Sequence, residues 1–320
     1  MRPPPSSRSP PGPSPSASPR TALADGGTAY DYVVDGHDAT SNVPPAGFSV
    51  ATATSSELAL YGIPPDPPAT SGTQRATWQE LFGNPQLHFL TPPSQLHSVP
   101  TWSPSRDNNS QNWSGFVAYN GGYSNVSGDY TEPSLGASRC ATNSVSFWVG
   151  LGGFGTGVPL AQDGTAENVG GLGQNQAWFE FFPQVGMIDL NLYATPGQGF
   201  YAATTYDYSN IYTFFLMNVY TGAVEDFNAA ANQSFNGSTA EWIAERPCSA
   251  NCTSGNPTFT NLSNFQTMYW NLTGYNSGAG NAYQTSNYQT YMEDSSYNTL
   301  ASPSSLASNG SFSITQNSCS

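Results

Sequence analysis

Apolar and polar positions alternate with a period of two through most of the chain after Trp113. WSGFVAY, SVSFWVGL, QAWFEFF, MIDLNLY, GFYAATTYDY, IYTFFLMNVY, TAEWIAE, FQTMYWNLT and SFSIT are aromatic and β-branched runs, split by Gly, Asn, Ser and Pro turns. Such runs fit a pleated surface with at least one buried face. No stretch there keeps a helical period. The pattern predicts an all-β domain, an antiparallel sandwich or barrel, over residues 109–320, and a chain of this length can fill a two-sheet core in one domain.

Upstream the pattern changes. Residues 1–40 are dominated by Pro and Ser at the start and read as disordered, because little of such a chain can be buried. Residues 41–108 are mixed. SSELALYGIPPDPP and TWQELFGNP predict short helices, with N-cap candidates at Ser55 or Ser56 and at Thr77. Either a structural linker or a removable pro-segment fits this region. The polar stretch SPSRDNNSQ, residues 103–111, suits an exposed and cleavable boundary.

Strand alternation also sorts the polar side chains. In QAWFEFF, Gln176, Trp178, Glu180 and Phe182 share one face, and Ala177, Phe179 and Phe181 share the other. In AEWIAE, Glu241, Ile243 and Glu245 lie opposite Ala240, Trp242 and Ala244. Two strands thus bring carboxyl groups beside aromatic groups on one expected groove face. A lone glutamate on a strand is usually a solvated charge; recurrence at Glu241 and Glu245 in an acid-poor strand set argues against that here. The glycines of VGLGGFGTGVPLAQDG lack the ending of a phosphate loop and predict an exposed loop that carries Gln162.

Composition narrows the chemistry. Seven basic residues face 21 acidic ones, for a formal charge of −14. Nucleic acid is therefore excluded as a partner, since phosphate binding rests on Lys and Arg. Only 9% of residues are charged, and a neutral polar surface loses few ion pairs on acidification, which favours an acid environment. No apolar run is long enough to span a membrane, and residues 1–20 carry no apolar core of a signal peptide. The four cysteines, Cys140, Cys248, Cys252 and Cys319, fit an oxidising, extracellular setting. Cys248 and Cys252 close a short loop and form the best disulfide pair. A four-cysteine zinc site is the alternative, although paired C-x2-C knuckles are missing.

From Asn109 to Ser320 there is no histidine, and lysine is absent throughout. His37, His88 and His97 all lie upstream. A Ser-His-Asp, Cys-His or Ser-Lys site cannot be built in the β domain, nor a common His-ligated zinc centre. No metal or cofactor is expected. Proton transfer falls to Asp and Glu, assisted by amides and hydroxyls.

Five segments together resemble the eqolisins, the glutamic peptidase family, in order and approximate spacing. They are NWSG (112–115), FWVGLGG (147–153), LAQDGTAE (160–167), QAWFEFFP (176–183) and AEWIAERP (240–247). The leader, with PPAGF and LALYGIPPDPP, resembles the precursors of bacterial and archaeal members. The resemblance implies a sandwich of two antiparallel sheets of the concanavalin-like lectin and glucanase type, and a secreted, monomeric peptidase acting on proteins or peptides. It implies that Gln162 and Glu245 are the catalytic dyad. It also implies that Trp113, Trp148, Trp178, Glu180 and Gln176 line the substrate groove. The chain departs from the fungal pattern at Gly152, at Gln176 and at Phe179, where an acid, an acid and a tyrosine stand.

In the implied reaction Glu245 deprotonates a water, and the Gln162 amide donates to the developing oxyanion. A carbohydrate-active sandwich is the alternative, with Trp113, Trp148 and Trp178 stacking sugars and Glu180 with Glu245 as paired carboxyls. A lectin-like binding module without turnover is a third reading. His88 and His97 are expected to help hold the leader on the groove while neutral and to loosen it when charged.

Overall fold

The alternating runs fold as strands of two packed sheets, in a computed structural model that describes residues 21–319 except 68, 70–71, 84–86, 97, 100–108, 137–142, 156–157, 168–174, 208, 232–236 and 251–256. The leader contributes β1 (Thr28–Val34), β2 (His37–Val43), α1 (Ser55–Leu60), α2 (Gly72–Trp78), β3 (His88–Phe89) and β4 (Ser98–Val99). The sandwich contributes β5 (Trp113–Ala118), β6 (Asn125–Thr131), β7 (Asn143–Gly152), β8 (Leu160–Glu167), β9 (Gln176–Phe182), β10 (Val185–Tyr193) and β11 (Gly199–Tyr206). It continues with β12 (Ile211–Asn218), β13 (Ala223–Ala230), β14 (Ala240–Glu245), β15 (Thr267–Tyr275), β16 (Asn287–Glu293), β17 (Thr299–Pro303) and β18 (Phe312–Gln316).

The front sheet runs β4–β10–β9–β8–β7–β14–β5–β16, antiparallel throughout. The back sheet runs β1–β2–β13–β12–β11–β6–β15–β18–β17, also antiparallel. Strand β16 serves both: Asn287–Thr290 pair with β5, and Met292 and Glu293 pair with β17. One strand that changes sheets closes that side of the sandwich.

Between the sheets the inward set from each strand packs as expected from alternation: Phe179 and Phe181 of β9, Trp242 and Ala244 of β14, and Phe214, Leu216 and Phe227 of the back sheet all join one buried cluster. Each such aromatic or aliphatic side chain contributes roughly 1.5–3 kcal/mol by leaving water. Polar groups also bridge the sheets. Trp242 Nε1 donates to the Ser127 carbonyl at 2.8 Å, and Thr204 Oγ1 donates to Asp163 Oδ1 at 2.8 Å. Thr165 Oγ1 bonds to Tyr130 at 2.7 Å and donates to Glu132 Oε2 at 2.9 Å. Burial holds the Asp163 carboxyl far above the usual range and pushes Glu132 up to about 8.

The leader differs from its composition-based reading. Residues 28–43 form a hairpin, not a disordered tail, and β2 pairs with β13 at the sheet edge. Helix α1 is capped by Thr54, one residue before the expected Ser55, because Thr54 and Glu57 form a reciprocal capping box. Thr77 lies inside α2 instead of capping a helix. The helices pack on the outside of the back sheet as a third layer. Leu58, Tyr61, Ile63, Leu81 and Phe82 join Tyr201, Phe215, Met217 and Val224 in a separate buried cluster. The ring of Phe82 meets Tyr201 and Phe215 edge-on at 5.3 and 5.8 Å.

Candidate active site

The outward face of the front sheet carries the chemistry. Pairing sets its side chains in rows across β9, β8, β7 and β14. Glu180, Gln162, Gly150 and Glu241 form one row. Trp178, Gly164, Trp148 and Ile243 form the next. Gln176, Ala166, Ser146 and Glu245 form the third, with Trp113 of β5 beside Glu245. All seven residues singled out by the motifs therefore lie on one face of one sheet. Cross-strand neighbours on a face lie within contact distance of each other.

Two groups of direct contacts emerge. In the first, Gln162 Nε2 donates to Glu180 Oε2 at 2.5 Å. The Gln162 Oε1 atom is buried and has no hydrogen-bond partner among the described residues. In the second, Glu245 Oε1 accepts from Asn112 Nδ2 at 2.7 Å, and Oε2 accepts from Trp148 Nε1 at 2.9 Å. The Trp113 ring packs edge-on against Trp148 at 4.9 Å. Its Nε1 lies within electrostatic reach of Glu245 but misses hydrogen-bond geometry. No hydrogen bond joins Gln162 to Glu245; they stand two strands and two rows apart, with Trp148 on the row between. The Glu180 charge links the groups, since it is near enough to raise the Glu245 pKa.

Burial is the largest influence on Glu245 and holds its carboxyl well above the usual range. The Glu180 charge adds to this, and the Asn112, Trp113 and Trp148 donors oppose it. Glu241 is also fully buried and raised by desolvation, with the neighbouring Thr239 hydroxyl acting to lower it. Gly150 separates it from Gln162. The Trp148 ring fills the space above that glycine, where a Cβ would lie 2.8 Å from Trp148 Cζ3.

Several expectations are corrected. Gln162 lies within a strand and is buried, not on an exposed loop. Trp113, Trp148 and Trp178 are also fully buried, so the face is closed and not an open groove. Gln176 spends its Nε2 on the Leu190 carbonyl at 2.9 Å, a bond within the sheet. His88 is exposed on β3, at the edge of the back sheet, away from this face. His97, Cys140, Cys252 and residues 103–108 lie outside the described residues. No cysteine among the described residues is a free thiol.

Arg246 turns away from Glu245. It donates to the Gln111 carbonyl at 2.9 Å and lies over the Phe259 ring. Asn112 is the site residue that strand alternation misses. It precedes β5 and so has no place in an inward-outward pattern. Its signal was its position beside Trp113 in NWSG. Ser110 fixes it, donating to Asn112 Oδ1 at 3.0 Å and accepting from the Asn112 and Trp113 amides. Among the described residues no group of three or more His, Cys, Asp or Glu is arranged to hold a metal.

Residues 111–316 match the sequence pattern of the Peptidase A4 family. The chain belongs to that family, the glutamic peptidases. It shares its fold with scytalido-glutamic peptidase, solved with a transition-state analogue inhibitor, at 18% identity and a TM-score of 0.55; the match covers 65% of this chain and 98% of the other. It also resembles SCP-B, an eqolisin solved with the tripeptide Ala-Ile-His, at 16% identity and a TM-score of 0.51, with the same coverage. No curated protein matches the sequence. The chain is thus a glutamic endopeptidase whose substrates are proteins or peptides, on a two-sheet sandwich. Among the described residues no helix is long and apolar enough to cross a membrane.

Proposed function

We propose that this glutamic peptidase is a secreted, monomeric, acid-acting enzyme that cleaves peptide bonds with Gln162 and Glu245. The supporting observation is the hydrogen-bonding of Glu245. Asn112 and Trp148 each give one donor to a different carboxyl oxygen, which leaves each oxygen a second lone pair for a water. These donors favour the carboxylate.

When the face is open to substrate, hydration returns and the donors keep Glu245 ionised in mild acid. Glu245 takes a proton from a water, and the oxygen of that water attacks the peptide carbonyl. The Gln162 Nε2 leaves Glu180 to donate to the carbonyl oxygen as it becomes an oxyanion, a contribution of about 3 kcal/mol for one such donor. Glu245 then returns the proton to the leaving amine as the C–N bond breaks. The Gln162 amide has no titration in this range, so its part of the site is indifferent to pH.

The setting follows from the cysteines and the acidic, lysine-free composition. Pairing of Cys248 with Cys252, and activation by a cut near residues 103–111, belong to the same reading. Casein digestion in mild acid tests it, with wild type beside Glu245→Gln. Proteolysis by wild type that survives undiminished in the variant would remove Glu245 from the reaction. Polysaccharide turnover without proteolysis would replace the reading altogether.

A further inference from the structure

The leader presents a problem for simple removal. Its helices cover Tyr201, Phe215, Met217 and Val224 on the outside of the back sheet, and those residues are at most 4% exposed. Its strands complete the edge of that sheet. β2 pairs antiparallel with β13 at Ala39 and Thr40, and β3 pairs parallel with it at His88 and Phe89. Loss of the leader would uncover a contiguous apolar face and an unpaired strand edge together, a combination that soluble proteins avoid.

The fit is also specific. Gly62 has a φ of +66°, and a Cβ there would lie 3.1 Å from Asp226 Cβ and 3.2 Å from Thr213 Cγ2. The backbone of the leader thus lies directly on the sheet. Asn42 Nδ2 donates to the Leu60 carbonyl at 2.9 Å, which ties the hairpin to α1. Tyr61 donates to Asp25, joining α1 to the start of the described chain. The leader is therefore one folded piece, not separate contacts. The two solved relatives have no counterpart for about a third of this chain, and the family match begins only at residue 111.

We propose that residues 21–90 are a permanent third layer of the working enzyme, held on the back sheet by apolar contact and strand pairing, and not a pro-segment that departs. A cut at residues 103–111 would leave a two-chain particle. Only the word "working" rests on the peptidase reading; the retention of the layer does not.

Arg106 is the only basic residue between Arg75 and Arg139, so limited trypsin treatment of the full chain can nick it there. Native size exclusion followed by denaturing mass analysis of the folded peak is the test. Co-elution of leader and sandwich fragments is expected. A leader fragment that elutes alone, with the sandwich still folded, would overturn the proposal. Gly62→Val and Phe82→Asp, nicked in the same way, are expected to release the fragment or to drop out of the folded peak; unchanged co-elution and melting in both would equally overturn it. Casein assay of the nicked wild-type peak separates the two ideas. Retained leader with no proteolysis removes the peptidase reading alone, whereas full proteolysis by a peak lacking residues 21–90 removes this one alone.

Discussion

The two outer faces of the sandwich are both buried, yet they differ in composition. The back face is mainly apolar, with Tyr201, Phe215, Met217 and Val224 under the leader and Asp226 as a buried acid among them. The front face gathers Glu180, Glu241 and Glu245 with Gln162 and three tryptophans, and almost none of these is exposed. An apolar face gains stability by being covered. A face with buried carboxyls loses it, because each acid must give up its hydration or its charge. A protein keeps such a face for its reactivity. The comparison assigns stability to the back and chemistry to the front, and four expected outcomes test the division.

The largest effect is on rate. Gln162→Ala and Glu245→Gln are each expected to lower kcat/KM on casein by at least about 100-fold, as loss of an oxyanion donor or general base does. The melting temperature of Glu245→Gln should hold or rise, since a buried acid is lost from the front, whereas Gln162→Ala should melt lower, since it takes from buried Glu180 its amide donor. The next effect is on stability alone. Phe82→Ala on the back removes a ring packed against Tyr201 and Phe215 and should cost about 3–5 kcal/mol. Calorimetry should show the melting point fall by roughly 6–15 °C, with the rate per folded molecule unchanged.

The third outcome concerns pH. Burial raises Asp129 and Glu167 to about 7, and Glu132 and Glu225 to about 8. A carboxyl raised on folding gives its full stability below its unfolded pKa near 4 and loses it as pH climbs through the folded value. Melting temperature should therefore fall steadily from about pH 4.5 to pH 8, with a slope of up to about 1.4 kcal/mol per pH unit for each group that titrates. A melting point that rises over this window would contradict the buried, uncharged acids. The smallest outcome is a shift of profile. Asn112→Ala removes a donor to Glu245, so the Glu245 pKa should rise and the acid limb of the kcat/KM profile should move up by about one unit. An unmoved limb would detach Asn112 from the reacting carboxyl.

The sequence showed the front face more clearly than the back. Period-two alternation placed Phe179 and Phe181 inward, and Gln176, Trp178 and Glu180 outward, because one face of β9 meets the core while the other carries the site. The hairpin of β1 and β2 was missed, although its signal was present. Asp35 and Gly36, with φ of 51° and 83°, form a two-residue turn between Val34 and His37, the D-G pattern of a tight hairpin. The Pro and Ser of the first twenty residues outweighed it in a reading based on composition. The bond from Asn112 to Glu245 spans 133 positions, and no local periodicity encodes it. The burial of Gln162 was hidden by the glycines before it, which suggested a loop. The inward acid Asp163 was hidden as well; it depends on Thr204 of the opposite sheet.

The division between faces rests most directly on one comparison: the initial rate of casein digestion in mild acid, per mole of folded protein, for wild type, Glu245→Gln and Phe82→Ala, well below every melting point. The account predicts a rate at least about 100-fold lower for Glu245→Gln and a wild-type rate for Phe82→Ala. A fully active Glu245→Gln enzyme, or a stable Phe82→Ala enzyme without activity, would contradict it.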